Sequence, residues 1–554
     1  MALSLKAAGL GDIAPAIDAK AGPAGSAGFQ FGSSSSQFLA AALAALAFAS
    51  CFCQMFILPR IPLIPWGDPV LFLQNAMRMS RGQLAYRDFF EFVTPGIDVT
   101  YDALLRIFGA RAWLPNLLMC VLAAAVALIL TLVARHILPG KYAAVPALLF
   151  IAGVLPISLY ATHHWFSTLA GLAAALVLID KTTTARIVAA GIFCGIAACF
   201  TQTAGAALFA AILIFLVWER EGGLAQGGIG KRLGMLATTT AATFAIFNAY
   251  FLVKVGAAKF FYFTLVFPLR YFRSPGFNTL RIYGTGLREL PSSRIFAFGV
   301  VHLLVPLIYF VAIGLLWTIS LPRKEKRAMA VVTLVGLALF ASVALGPSPL
   351  RLATVTPPAL ILFAFLSHRY AKSSFAFYVA AGVPLILAVA IPARMQFHQH
   401  WFLDSPSGRI AFLDRARYDE FQWASVHTRP NQPFFGNEPM WYALGLWDPT
   451  PLYFTTNTEF TRPEQVQAFI AAIENSRVPV MVLIPDTSQA TSEIARANPA
   501  DHMRPFRAYL RQNYHLDTRF ATGDEAWIRN ELQREIQPPI PQKMNAMKGP
   551  TARP

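Results

Sequence analysis

The chain has 554 residues, 56% of them hydrophobic and only 14% charged, whereas a soluble globular domain carries about 25% charged residues. An ordinary soluble enzyme is thereby excluded. The net charge of +17 does not mark a nucleic-acid binder either: residues 393–554 hold 17 basic and 17 acidic side chains, and the whole excess, 29 basic against 12 acidic, lies in the apolar part before them.

Residues 1–36 are rich in Gly, Ala and Ser and read as a disordered leader on the inner side, without a signal-peptide pattern. Apolar runs follow at 38–58, 114–134, 142–160, 163–180, 187–203, 205–218, 233–253, 295–320, 328–346, 352–367 and 374–392. Most approach the length of about 20 residues that crosses a bilayer as a helix. The expected fold class is an α-helical polytopic membrane protein with about eleven spans over residues 37–392. The five cysteines, Cys51, Cys53, Cys120, Cys194 and Cys199, all fall inside these runs. Cys51-x-Cys53 is therefore read as small buried apolar residues and not as a metal pair.

Orientation follows from the short loops. Those after even-numbered spans hold Arg135 and Lys141, Lys181 and Arg186, Arg220 with Lys231 and Arg232, Arg323 to Arg327, then Arg369 and Lys372. The short loops on the other side hold almost nothing basic, Arg351 being the exception. The N-terminus is expected inside. The loop 59–113, a second loop 254–294 and the region from 393 onward are expected outside.

The loop 59–113 is the chemical focus. Five of the twelve acids before residue 393 sit in it: Asp68, Asp88, Glu91, Asp98 and Asp102. Ionisable groups beside a membrane are costly unless used. Asp68-Pro69 reads as a helix start, with Asp as N-cap and Pro in the first turn. Val70, Leu73 and Met77 then predict a short amphipathic helix along the membrane surface. Asp68 is at once an ordinary cap candidate and a candidate base facing an aqueous cleft. Asp88 and Glu91 would share a face if their segment were helical. Such a pair can divide acid and base work, hold a divalent cation such as Mg or Mn, or be solvated, for instance beside Arg87. Asp98 and Asp102 look like a polar helix edge. His163-His164 opens the fourth span on the same side, and neighbouring His residues on a helix do not converge on one metal; one can line the cleft. No organic cofactor is expected, and a divalent cation, Mg or Mn, stays open.

The second loop carries Lys254, Lys259, Arg270, Arg273, Arg281, Arg288 and Arg294 against one acid, Glu289. Long loops translocate whatever their charge, so these residues are either solvated or at anionic headgroups, or they form a phosphate clamp, with Arg270, Arg273 and Arg281 as its candidates. Gly222 to Gly230 is a flexible linker. From 393 to 537 hydrophobicity falls. Leu413 to Val426, Pro463 to Ser476 and Phe506 to Asn513 read as helices, Val478 to Ile484 and Ala526 to Arg529 as strands, giving a small α/β domain. The tail 538–554 reads as disordered.

The pattern Asp68, then Gly82-x-x-x-Tyr86-Arg87-Asp88-Phe89, Pro95-Gly96 and Phe108-Gly109 resembles that of the glycosyltransferase-C superfamily, polytopic enzymes that take sugars from polyprenyl-phosphate carriers. The group includes protein mannosyltransferases and aminoarabinose transferases of lipid A. The resemblance covers the first two hundred residues or so. It implies an inverting glycosyltransferase in the bacterial inner membrane, working on the extracytoplasmic side. Its partners would be membrane lipid, a polyprenyl-phosphate-linked sugar, and a glycan, lipid or protein acceptor. In that scheme Asp68 is the catalytic base, and Arg or Lys of the second loop meets the departing phosphate. The chain departs from the pattern where relatives carry a second acid: Pro69 follows Asp68, and the next loop on that side offers His163-His164. A transporter or flippase of a lipid-linked intermediate is the alternative. That class favours charges in mid-span and internal repeats, and the sequence shows neither.

Overall fold

The apolar runs of the sequence are mainly helical where the structure describes them, though the run 38–58 ends in a strand and a turn and the run 142–160 ends in irregular chain. The computed structural model describes residues 34–221, 228–271, 304–318, 320–346, 348–371, 374–436, 438–452, 455, 461–489 and 501–531. The leader up to residue 33, the tail 538–554, most of the Gly222 to Gly230 linker, and Arg273 and Arg281 lie outside the described residues.

Helix α1 (Ser34–Met55) leads into a two-strand turn, β1 (Phe56–Ile57) against β2 (Ile61–Pro62). Two short helices follow, α2 (Asp68–Ser80) and α3 (Gly96–Phe108), before the long α4 (Leu114–Ala134). A run of short helical turns over 140–157, with α5 (Val145–Leu149) inside it, then gives way to α6 (His163–Leu178), α7 (Thr184–Phe200), α8 (Gln202–Glu221) and α9 (Ile229–Val255). Among the described residues seven helices are long and apolar enough to cross a membrane, or eight if Pro349–Val355 and Pro357–Tyr370, bent by 64°, count as one. α6, α7 and Val305–Thr318 are shorter apolar helices. Helices occupy most of the expected runs as far as these are described, residues 295–303 lying outside the described residues, and among the described residues length supports seven or eight full spans.

The helices share one apolar core, in which Leu130, Trp165, Cys194, Phe215 and Val335 are fully buried. At the end of the bundle remote from α2 a buried charge cluster ties four elements together. Glu219 accepts a hydrogen bond from Thr182 Oγ1 at 2.5 Å, lies 3.5 Å from Arg232 and pairs with Arg327. Arg327 also donates to the carbonyl of Leu178 at 2.8 Å, closing the end of α6. A charge buried this deeply persists because it is paired.

The break after Val355 has a local cause. Pro357 and Pro358 bring no backbone N–H, so the helix entering from Ser348 cannot continue its ladder through them. Ser348 caps that short helix by accepting from Arg351 N at 3.2 Å. Thr168 of α6 donates to the carbonyl of Thr354 at 2.8 Å and so fixes the short helix beside the start of α6.

The C-terminal region is an α/β unit. β3 (Trp401–Ser405) and β4 (Gly408–Phe412) form an antiparallel hairpin. β5 (Phe435–Gly436), β6 (Val480–Leu483), β7 (Tyr514–Arg519) and β8 (Glu525–Arg529) form a sheet of order β5-β6-β8-β7, with β5 and β6 parallel and the remaining pairs antiparallel. Helices Arg415–His427, Pro463–Asn475 and Arg504–Asn513 match the expected ones within two residues. β6 is buried at all four positions, which is why its sequence reads as an uninterrupted apolar run.

Candidate active site

Three features place α2 between the helical bundle and the C-terminal unit. The first is its start. Gly67, at φ 72°, is the N-cap, and Asp68 is the first helical residue, with no side-chain capping bond. The expectation of Asp68 as N-cap is therefore corrected by one residue, because the turn into α2 needs a positive φ that glycine adopts without cost. The carboxylate of Asp68 accepts from its own backbone N–H and does not serve as the N-cap. The second is burial: Phe72, Leu73, Asn75 and Ala76 are buried, and so are Gln74 and Arg78 on another flank. The predicted membrane-surface helix is instead covered on both flanks. The third is the motif Pro95-Gly96, where a Cβ on Gly96 would stand 2.5 Å from the carbonyl oxygen of Cys199. Only glycine lets α3 meet the end of α7 this closely.

The half-buried Asp68 sits in a defined electrostatic setting. Burial raises its pKa above the ordinary aspartate value, and the nearby Arg351 guanidinium lowers it again in part. Tyr160 is the next neighbour: its ring lies against Gly67, and its own ionisation is pushed up first by burial and then by the Asp68 charge. Arg351 acts on His163 and His164 as well, so Asp68, Tyr160, His163, His164 and Arg351 form one neighbourhood. Arg351 itself donates to the carbonyl of Gly346 at 3.0 Å.

His163 is buried, while His164 is half-buried. The His163 Nδ1 lies 2.7 Å from Thr201 Oγ1, which also accepts from Ser167 at 3.0 Å, and Phe72 of α2 meets the His163 ring edge-on at 5.5 Å. The two imidazoles are 4.0 Å apart between centroids. The helix start thus holds His163 firmly against α2 and leaves His164 nearer the opening.

The other acids of the loop fall into two environments. The segment 81–95 is not helical, so Asp88 and Glu91 do not share a helix face. Asp88 is exposed, ion-paired with Arg87 at 2.7 Å, and accepts from Leu84 N at 2.8 Å; the Arg87 contact, more than anything else, holds its carboxyl below the usual range. Its place is in a turn lock. Tyr86 of the same motif is buried against Phe251, Phe260 and Phe263 and donates to the carbonyl of Val93.

Glu91 is fully buried. It accepts from Phe92 N at 2.7 Å, Val93 N at 2.8 Å and Asn75 Nδ2 at 2.6 Å. Asn75 Nδ2 also reaches Asp98 at 3.3 Å. Burial pushes Glu91 up to about 7 against these hydrogen bonds, and Asp98, buried beside the Glu91 charge, is raised well above the usual range. Two carboxylates this close and this dry do not both ionise. Asp98, read from sequence as a helix edge, is thus half of a buried pair, whereas Asp102 is an edge residue paired with Arg106 at 2.8 Å.

Arg270 of the second loop is exposed and lies over the Tyr271 ring at 5.3 Å; Arg462 of the C-terminal unit covers the same ring at 4.4 Å. The cation acting on Asp68 is Arg351. Among the described residues no group of three His, Cys, Asp or Glu side chains could hold a metal ion.

No family model matches this sequence, and no curated relative matches it. Solved structures do. The crystal structure of ArnT from Cupriavidus metallidurans bound to undecaprenyl phosphate aligns with a TM-score of 0.55 at 13% identity, over 88% of this chain and 97% of that one. The fold is that of ArnT. The apo structure of the same protein gives a TM-score of 0.55 at 14% identity, over 89% and 98% of the two chains. The alignment runs through both the helical bundle and the C-terminal unit, so the likeness in fold covers both.

The structure brings Asp68, His163 and His164, all singled out in the sequence, together with Arg351 and Tyr160, which were not site candidates there. Arg351 had a signal: it was the one basic residue in the short loops of its side. Tyr160 sits in an apolar run and had none.

Proposed function

We propose that the protein is an inverting glycosyltransferase that moves a sugar from a polyprenyl-phosphate carrier to an acceptor hydroxyl on the extracytoplasmic side of the membrane. The observation that carries this reading is the isolated, half-buried Asp68 at the start of α2 with Arg351 beside it. Asp68 takes the proton from the acceptor hydroxyl as that oxygen attacks the anomeric carbon. The bond from that carbon to the phosphate oxygen breaks, and the polyprenyl phosphate leaves as an anion, so no strong protein acid is needed. Burial makes Asp68 a better base than a free aspartate, and Arg351 keeps it ionised enough to act. The same guanidinium is placed to meet the developing negative charge of the leaving phosphate.

Several features support the reading. The ArnT structure holds undecaprenyl phosphate, the sequence motif lies in the loop that builds this site, and the charge pattern of the short loops puts that loop outside. Arg270, Arg273 and Arg281 keep their proposed place as further phosphate contacts, with Arg351 the cation at the reacting end. Asp88 belongs to the turn, and Glu91 supports α2 through Asn75. No cofactor is assigned; Mg or Mn is not needed for the step as written. The test is transfer from a polyprenyl-phosphate sugar by purified protein: Asp68→Asn should abolish it with folding intact, and retention of full activity would overturn the reading.

A further inference from the structure

On the flank of α2 that faces the C-terminal unit lies a cavity of about 350 Å³, within the range of roughly 300–1,000 Å³ found for small-molecule sites. Gln74, Arg78 and Arg81 line it from α2 at helical spacing i, i+4 and i+7. That flank is turned away from Phe72 and Asn75, which meet His163 and Glu91. Asn431 and Trp447 line it from the C-terminal unit, and Gln83 from the following loop.

The wall is built for a particular chemistry. Gln74 Oε1 and Arg78 Nε are buried without a hydrogen-bond partner, one an acceptor and the other a donor. Unsatisfied buried polar atoms are rare and call for an explanation. The amides of Gln83 and Asn431 each offer both a donor and an acceptor. Trp447 is half-buried and presents a flat apolar face. Arg78 is compensated by Asp448, which leaves Arg81, whose Nη2 donates to Asn431 at 3.3 Å, as the cation at the rim. A free anion would want more uncompensated charge, and a lipid chain a wall without orphaned polar atoms. A ring with hydroxyls on its edge and C–H bonds on its face satisfies all of these groups.

We propose that this cavity binds one or two sugar rings of a glycan, at a site separate from the Asp68 cleft, with Trp447 stacking on the ring and Gln74, Arg78 and Arg81 bonding its hydroxyls. In taking that glycan to be the acceptor the inference rests on the transferase reading; the binding itself does not. The site would hold an acceptor saccharide by a portion remote from the hydroxyl that reacts.

The experiment titrates full-length protein in detergent with a series of hexoses, pentoses and their disaccharides into the tens of millimolar, followed by tryptophan fluorescence, with inorganic phosphate as a second probe. At least one saccharide should give saturable binding. Trp447→Ala should weaken it about 3- to 10-fold, the effect of losing one aromatic contact. Arg81→Ala, at an exposed side chain that does not threaten folding, should weaken it by a similar factor, and Asp68→Asn should leave it unchanged. Absence of saturable binding by any sugar, binding by phosphate alone, or binding lost in Asp68→Asn but kept in Trp447→Ala would each overturn the proposal. Failure of the transferase reading would show separately, as transfer retained in Asp68→Asn.

Discussion

Asp448→Ala tests whether α2 is held by the C-terminal unit. Arg78 and Asp448 are 6% and 0% exposed at their side chains and paired. Arg78 also donates to the Thr450 carbonyl at 2.6 Å, Gln74 donates to Asp448 at 2.8 Å, and Thr450 N donates to Asp448 at 2.8 Å. Removing the carboxylate strands a buried guanidinium and orphans two donors, a change of about 3–5 kcal/mol. The pair as a whole is a different matter. Burial lifts Asp448 from 3.8 to about 6 in spite of Arg78, which amounts to on the order of 3 kcal/mol against the ionised form. The desolvation of the carboxylate therefore outweighs the attraction of its partner. The double variant Arg78→Met with Asp448→Leu should then be near neutral in thermal unfolding of the purified protein in detergent, while Asp448→Ala lowers the midpoint strongly. A single variant as stable as the wild type, or a double variant as damaged as the single, would refute the reasoning.

Three further outcomes follow from the same geometry. Arg351→Met removes the charge that lowers the Asp68 pKa, so the acid limb of transfer activity should move to higher pH while the maximal rate falls; a lower rate with an unmoved limb would assign Arg351 to phosphate binding alone. Glu91 is raised from 4.5 to about 7, so the folded state binds more protons than the unfolded chain between those values. The stability it confers is complete below about 4.5 and is lost as pH rises through about 7, on the order of 3 kcal/mol in all; Glu91→Gln should flatten the dependence of the unfolding midpoint on pH across that window. Gly96→Ala puts a Cβ 2.5 Å from the Cys199 carbonyl oxygen and should cost about 1–3 kcal/mol, read as a lower midpoint that Gly234→Ala, where nothing lies within 4 Å, does not share.

The helices were legible because burial in apolar surroundings writes itself as long apolar runs, and β6 was legible for the same reason. The number of full spans was not: α6 and α7 are as apolar as the longer helices but shorter, and the break at Pro357 leaves composition unchanged. The site was legible in part. Asp68 stood out because an acid after the first span is rare in such a chain. Its neighbours come from residues 160 to 164 and from residue 351, and sequence carries no distance between such segments. The sidedness rule flagged Arg351 as an exception but could not say that its charge would act on Asp68.

The five acids of the loop show how one stretch of chain gives like residues unlike work. Asp88 and Asp102 each lie beside an arginine at the surface, at 2.7 and 2.8 Å, where such pairs add about 0–1 kcal/mol and mainly fix local geometry. Glu91 and Asp98 are so deeply buried that they hold a proton between them near neutrality, and their hydrogen bonds to Asn75 anchor α2 from below. Asp448 and Gln74 anchor it from the other flank. With both flanks fixed, α2 has no freedom to withdraw Asp68, and Gly67 rather than Asp68 performs the capping that would have consumed its carboxylate. Asp68 is the member of the five that is desolvated enough to gain basicity, is acted on by Arg351, and has its own backbone N–H as a local hydrogen-bond donor. The setting of Asp68 is defined by what the other four acids and the two flanks of α2 take on in its place.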